Sequence, residues 1–231
     1  HLHGSVYAGD SQRTGADEVL KAMDRAGIQK AVVQGLNPAE NQEILTECSL
    51  HRDRLIPFVL ETPESLAGSD LETHVSSGAR GIGEIYVSPG SKQTLSDFLE
   101  PVIAVARDLS LPVLLHTGEF SYTAPMIAVD TIRDNPDVTF ILGHMGSLAY
   151  VLDTIEILKT FPNAYADTSG LTSTPILRRA VMECGPEKLL FASDYPFWDP
   201  VVELERIYVA NLGADTEQLL LGENAARLFN L

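Results

Sequence analysis

"PVLLHTG", residues 112–118, decides the fold. A short apolar run leads to a histidine, and a Thr-Gly pair then turns the chain. Continuous apolar runs of this length suit strands covered on both faces, as in a parallel sheet. The same kind of run recurs along the chain: "KAVVQG" (30–35), "LIPFVL" (55–60), "ARGIGEIYV" (79–87), "VTFILGH" (138–144), "AYADTSG" (164–170) and "KLLFASD" (188–194). With a first strand ending in "HLH" (1–3), these make eight strands.

Amphipathic segments lie between the runs. Leu95, Phe98, Leu99, Val102, Ala106 and Leu109 repeat at helical spacing, as do Leu148, Val151, Leu152, Ile155 and Leu158. Thr62-Pro63 reads as an N-cap followed by proline in the first turn. Gly27, Gly78 and Gly213 follow helical patterns, where a left-handed residue is expected. Asn135-Pro136, Pro162-Asn163 and Gly185-Pro186 stop helices ahead of later strands. The tail "GENAARLFNL" reads as a short helix packing Ala226 and Leu228 or Phe229 inward. Eight strand–helix units predict an α/β fold, the (β/α)8 TIM barrel, its first strand truncated. A doubly wound open sheet is the alternative, but no Gly-rich phosphate fingerprint follows an early strand.

The bulk properties bound the function. At 231 residues and 45% apolar composition, the chain suits one domain spanning 1–231. A formal charge of −16 repels phosphate backbones and anionic membranes, which argues against nucleic acid and membrane partners. No apolar run approaches the roughly 18–20 residues of a membrane span. Cys48 and Cys184 lack metal-type spacing and read as buried thiols in a reducing cytoplasm.

The polar residues gather at strand ends. His1 and His3 end the first strand, and Glu84 lies near the end of the fourth. His116, His144 and Asp194 end the fifth, sixth and eighth. In a barrel these positions share the C-terminal rim, where active sites form. Four of the six histidines stand there, while His51 and His74 read as surface residues. Each rim residue has a plain structural reading. "HLH" resembles a tag remnant, Glu84 could pair with Arg80, and Asp194 could cap a turn. Together those readings require six coincidences on one rim. Nitrogen and oxygen donors without thiolates suit zinc, iron(II), manganese or cobalt. Such a metal brings the pKa of bound water from about 15.7 towards 7, and a neighbouring carboxylate, here Asp194, can take the proton.

"HLH", "GIGEI", "LLHTGE", "LGHMG" and "FASDYPF" resemble the successive strand-end motifs of the amidohydrolase superfamily, in its amidohydrolase-related branch of metal-dependent hydrolases and decarboxylases. The resemblance spans nearly the whole chain and implies a distorted (β/α)8 barrel with one or two divalent ions. It implies His1, His3, His116 and Asp194 as ligands of a first metal, and Glu84 as a ligand, bridge or supporting anchor. His144 either binds metal or stays free to act on substrate, and His144 and Asp194 are the catalytic candidates. One zinc ion is favoured and two are allowed. Metal-dependent deoxyribonucleases share the "HxH" start, but "GHMG", "SDYP" and the acidity argue against them.

Tyr7, Arg13, Tyr86, Glu119, Tyr122, Met145, Thr168, Ser169, Tyr195 and Trp198 fall on loops after the strands. Arg13, Tyr86, Tyr195 and Trp198 are the expected substrate contacts, Arg13 as a bidentate partner of a carboxylate. The first expectation is a metal-activated water cleaving a small ester, lactone or amide. The alternative is non-oxidative decarboxylation of a small unsaturated or aromatic acid. A non-catalytic metal-binding protein is the third reading. Substrate is a small molecule in each enzymatic case, and a homodimer fits proteins of this resemblance.

Overall fold

Parallel strands stand side by side in chain order in the structure, a computed structural model that describes residues 2–3, 7–8, 12–66, 71–86 and 95–231. One hydrogen-bonded sheet joins β1 (Leu2–His3), β2 (Ala31–Gln34) and β3 (Leu55–Pro57). A second joins β4 (Ile82–Ile85), β5 (Val113–His116), β6 (Phe140–Gly143), β7 (Ala164–Asp167) and β8 (Leu189–Leu190). A parallel bridge between Val59 and Ile82 links the two. The expected eight strands are therefore present, in the order of a (β/α)8 barrel. After β1 the chain adds an antiparallel ribbon, Tyr7–Ala8 against Gln12–Arg13, which the sequence did not announce.

Helices alternate with the strands: α1 (Ala16–Ala26), α2 (Asn41–Leu50), α3 (Leu71–Ser76), α4 (Leu95–Asp108), α5 (Val129–Asp134), α6 (Ser147–Thr160), α7 (Thr174–Cys184) and α8 (Pro200–Ala210). Shorter turns close the chain. Gly27 ends α1 in the left-handed region, as expected. Asn211, not Gly213, takes that place after α8, at φ 50°, because an asparagine side chain tolerates this conformation. Thr62 caps its helical turn, its hydroxyl accepting from Ser65 N at 3.2 Å.

Period-two alternation sorts the strand residues between two cores. Val113 and Leu115 of β5, Phe140 and Leu142 of β6, and Ala164 and Ala166 of β7 pack towards the helices with Leu99, Val102, Ile155 and Leu158. Leu114, Ile141 and Leu190 face the other way and cluster with Phe58. Ala225, Leu228 and Phe229 of the closing helix pack on this inner cluster, Phe229 meeting Phe58 edge-on at 5.6 Å. Ala225 thus takes the place expected for Ala226.

The eighth strand is shorter than expected. Pairing stops at Leu190, because Phe191 N donates to Leu220 O at 2.9 Å and the chain leaves the sheet. Asp194 follows four residues later, in a loop rather than at a strand end. His74 is not a surface residue: its side chain is 16% exposed, and Nδ1 lies 3.3 Å from the buried Glu61 carboxylate. Both cysteines are buried, as expected; burial pushes the Cys48 thiol up to about 12 and the Cys184 thiol up to about 11. Among the described residues no helix is long and apolar enough to cross a membrane.

Ser110 sits exposed beyond α4 with φ 54°, a left-handed conformation that disfavours a Cβ. Ser110→Gly should therefore stabilise the fold by about 1 kcal/mol and raise the melting temperature by about 2–4 °C. Thermal unfolding followed by circular dichroism checks this; an unchanged or lower midpoint contradicts it.

Candidate metal centre

Three strands bring three donors together. Glu84 Oε1 lies 3.0 Å from His116 Nδ1 and 3.0 Å from His144 Nε2. The two imidazole nitrogens are 3.2 Å apart. Glu84 and His144 are buried, and His116 is nearly so. Among the described residues these three form the one group whose donor atoms all lie within 4.8 Å of one another.

Each side chain reaches the centre by a different route. His116 follows simple alternation: it shares parity with Leu114, so it faces the inner side at the end of β5. Glu84 needs an irregularity. Ile82 pairs with Val113 and Ile85 with Leu115, so β4 spends one residue more than β5 over this span. Both isoleucines pack outward, and the bulge re-aims the intervening Glu84. His144 follows the inward Gly143 and by parity would face the helices. Its φ of 61° breaks the strand and turns the imidazole back towards Glu84. Gly143 leaves the room that Glu84 needs, since a Cβ there would stand 2.8 Å from Glu84 Oε1.

Strained backbone concentrates here. Glu119, His144, Met145, Ser147 and Asp194 all have φ between 50° and 61°. Such conformations cost about 1–3 kcal/mol each and persist where surrounding structure enforces them, most often at functional sites. Thr117 supplies part of that enforcement. Its hydroxyl donates to Gly143 O at 2.5 Å and accepts from Gly146 N at 3.0 Å, tying the end of β5 to the turn after β6.

The donor set fits a divalent cation. Edges of 3.0–3.2 Å match ligands around an ion with bonds of about 2.0–2.1 Å. His116 Nε2 is also buried without a hydrogen-bond partner among the described residues, 4.0 Å from Glu119 Oε2.

Not every expected site residue joins this triad. Asp194 is buried beside the mouth but stands outside the group of three. His1 lies outside the described residues. His3 and Arg13 lie in described strands, but their side chains are outside the description. Tyr86 belongs to the mouth, its ring 4.9 Å from that of His116. Trp198 stands 6.0 Å from the His144 ring, over a left-handed Gly170 that leaves space for it. Tyr195 is half-buried and packs against the cluster of Ala16, Val19 and Met23. Arg80 is exposed, and Glu84 faces histidines rather than that cation.

Two supporting residues escaped the sequence reading. Gln34 ends β2 with its side chain buried and donates to Glu84 Oε2 at 3.2 Å. Asp167 ends β7, its Oδ1 accepting from His144 N at 3.1 Å. Their signal was available: each is a polar residue closing an apolar strand, as His116 is.

An aromatic wall surrounds the donors. Tyr122 meets Tyr86 edge-on at 6.5 Å and stacks on Phe120 at 5.1 Å. The hydroxyls of Tyr86 and Tyr122 lie 3.3 Å apart, and this bond, with desolvation and the nearby Glu119, pushes the Tyr86 phenol up to about 12.

A family model described as Amidohydrolase matches residues 6–231. Among curated proteins, a probable chloroplastic acetolactate synthase 2 of Oryza sativa subsp. japonica is 26% identical over 215 residues, 92% of this chain and 30% of that protein. The gamma-resorcylate decarboxylase of a Rhizobium species is 28% identical over 126 residues, 46% of this chain and 38% of that protein. The matches thus span well under half the length of these curated relatives. Among solved structures, a TIM-barrel protein of Bordetella bronchiseptica superposes with a TM-score of 0.79 at 20% identity, covering 94% of this chain and 83% of that one. The 5-carboxyvanillate decarboxylase of Novosphingobium aromaticivorans, complexed with manganese and 4-hydroxy-3-methoxy-5-nitrobenzoic acid, gives 0.72 at 18% identity, covering 92% and 79%. A probable 2-pyrone-4,6-dicarboxylic acid hydrolase of Acinetobacter baumannii gives 0.70 at 14% identity, covering 100% and 98%. These likenesses establish the TIM-barrel fold that the strand order describes. The family match over nearly the whole chain, on that fold, makes this chain a member of the amidohydrolase family.

Proposed function

We propose that this chain is a divalent-metal enzyme that removes the carboxyl group from a small hydroxylated aromatic acid. The observation that carries the reading is the Glu84–His116–His144 triad with the Tyr86 ring beside His116 and the Trp198 ring beside His144. The curated Rhizobium decarboxylase and the manganese-bound 5-carboxyvanillate decarboxylase support it. A planar substrate would pack against the aromatic wall, where ring–ring contacts contribute about 0.5–1.5 kcal/mol each beyond burial.

Glu84, His116 and His144 would hold the ion, with Asp194, His1 and His3 completing the donor set the sequence suggests. One zinc ion is the preferred occupant, with manganese the alternative that the decarboxylase neighbour suggests. A cation there supplies Lewis-acid polarisation of a substrate oxygen. Asp194 is the proposed proton donor to the ring carbon that bears the carboxyl group. As that C–H bond forms, the C–C bond breaks, carbon dioxide leaves and the bonding pair returns to the ring. Tyr86, protonated at neutral pH, donates to the phenolic or carboxylate edge of the substrate. Arg13 is the proposed partner of a second anionic group. The same proposal places the enzyme in a reducing cytoplasm as a homodimer.

Hydrolysis of a lactone, ester or amide is the second reading. What favours it is the likeness to the probable 2-pyrone-4,6-dicarboxylic acid hydrolase along the whole chain. Asp194 would then take a proton from the attacking water and pass it to the leaving group.

Purified protein should carry about one equivalent of a divalent metal and release carbon dioxide from 2,6-dihydroxybenzoate or 5-carboxyvanillate. Acid release from lactones in a pH-stat, without carbon dioxide, would replace the first reading with the second. His116→Ala should lose most of its metal and at least about 100-fold in rate while keeping its circular dichroism. Retention of both metal and rate would dismantle the site. Gly143→Ala should weaken metal binding by about tenfold or more, because the added Cβ meets Glu84 Oε1 at 2.8 Å. Metal content after dialysis against a chelator measures this.

A further inference from the structure

Behind His144 runs a hydrogen-bonded chain that the proposed chemistry does not use. His144 Nδ1 lies 2.9 Å from Ser169 Oγ, and Ser169 Oγ lies 2.6 Å from Asp167 Oδ1. Asp167 Oδ1 also accepts from His144 N at 3.1 Å and from Ser169 N at 3.0 Å. An oxygen that already takes two backbone N–H bonds is an acceptor. The single proton of the Ser169 hydroxyl therefore points to Asp167. Towards His144, Ser169 can offer only a lone pair, so the imidazole must donate from Nδ1. Its other nitrogen, Nε2, then faces Glu84 Oε1 and His116 Nδ1, the side from which a cation would bind.

We infer that Ser169 is a positioning residue which, held by Asp167, fixes His144 in its Nδ1–H tautomer and so prepares Nε2 to bind a cation. This rests on the metal reading given above. The geometry is rigid on every side. Ser169 and Asp167 are buried, at 0% and 3% exposure. Backbone bonds fix the loop after β7: Thr168 N donates to Leu190 O at 2.9 Å, and Leu171 N donates to Thr168 O at 3.2 Å. The loop is thereby held while it presents Ser169 to the imidazole. Orientation of a ligating histidine through its second nitrogen is the general means by which proteins raise metal affinity, and loss of such a partner costs about 10–100-fold.

Nitrogen-15 histidine NMR on the metal-free chain reads the tautomer directly, and a His144→Gln spectrum assigns the signal. The wild type should show His144 protonated at Nδ1. Ser169→Ala should shift the population towards Nε2–H and weaken zinc binding about 10–100-fold in competition with a chelator. Ser169→Thr, which keeps the hydroxyl, should restore both readouts. A melting curve for each variant separates these effects from general destabilisation, which moves neither the tautomer pattern nor its rescue by threonine. An Nε2–H signal in the wild type, or a Ser169→Ala protein with unchanged tautomer and zinc affinity, would overturn the inference. A wild type that shows the Nδ1–H signal but takes up no zinc would instead sink the metal reading and leave the positioning role standing.

Discussion

Three electron-rich atoms held within 3.2 Å of one another in a buried pocket set the terms for the rest of this molecule. A carboxylate oxygen and two imidazole nitrogens repel unless positive charge, a proton or a cation, lies between them. Burial removes the water that would otherwise screen the repulsion. The fold must therefore hold the donors from behind, and for Glu84 and His144 it does so, among the described residues, without a cationic side chain. Gln34 holds the far oxygen of Glu84, Ser169 holds the far nitrogen of His144, and Asp167 holds the His144 backbone. None of these contacts neutralises the inward lone pairs. A site built in this way is arranged for a charge that arrives from outside.

The backbone irregularities follow from the same constraint. Regular strands present every second residue, and the three donors are not in phase with that rhythm. The bulge in β4 corrects the phase of Glu84, and the left-handed turn at His144 corrects the next. Both corrections cost conformational energy, offset by the packed strands below them, where Phe58, Leu114, Ile141 and Leu190 form a continuous inner core. The division of labour is that of a barrel: apolar layers below supply rigidity, and the rim spends it.

This also explains how much the sequence could disclose. Strand order, helix alternation and the inward-facing His116 follow from periodicity alone, because period-two alternation is a local property. Glu84 and His144 read as rim residues from their place in and after apolar runs, yet the devices that aim them are not local. A bulge depends on the register of a neighbouring strand. Asp194 was misplaced onto a strand end because its apolar approach, "KLLFASD", looks like a strand throughout. Tertiary competition ends that strand early, when Leu220 takes the Phe191 N–H. Tyr195 shows another limit: a loop tyrosine near a rim aspartate has the composition of a substrate contact, and its packing against the cluster of Ala16, Val19 and Met23 is not written in any local pattern. His74 reads as polar surface until Glu61, far from any sequence pattern, is seen to be buried beside it.

The triad by itself does not choose between hydrolysis and decarboxylation, since both begin with a substrate oxygen held by a Lewis acid. The difference lies in what surrounds the second reactant. Hydrolysis needs a water held beside a base, and solvent reaches an open mouth readily. Decarboxylation needs a proton delivered to a carbon and a ring plane held steady while it loses aromaticity. Tyr86 beside His116, with Tyr122 and Phe120 next to it, and Trp198 beside His144 are suited to the second task, because flat apolar faces fix a ring plane and displace water. Tyr86 reinforces the point: its phenol, neutral as tyrosines are at neutral pH, could donate to an anionic substrate edge without adding a charge of its own.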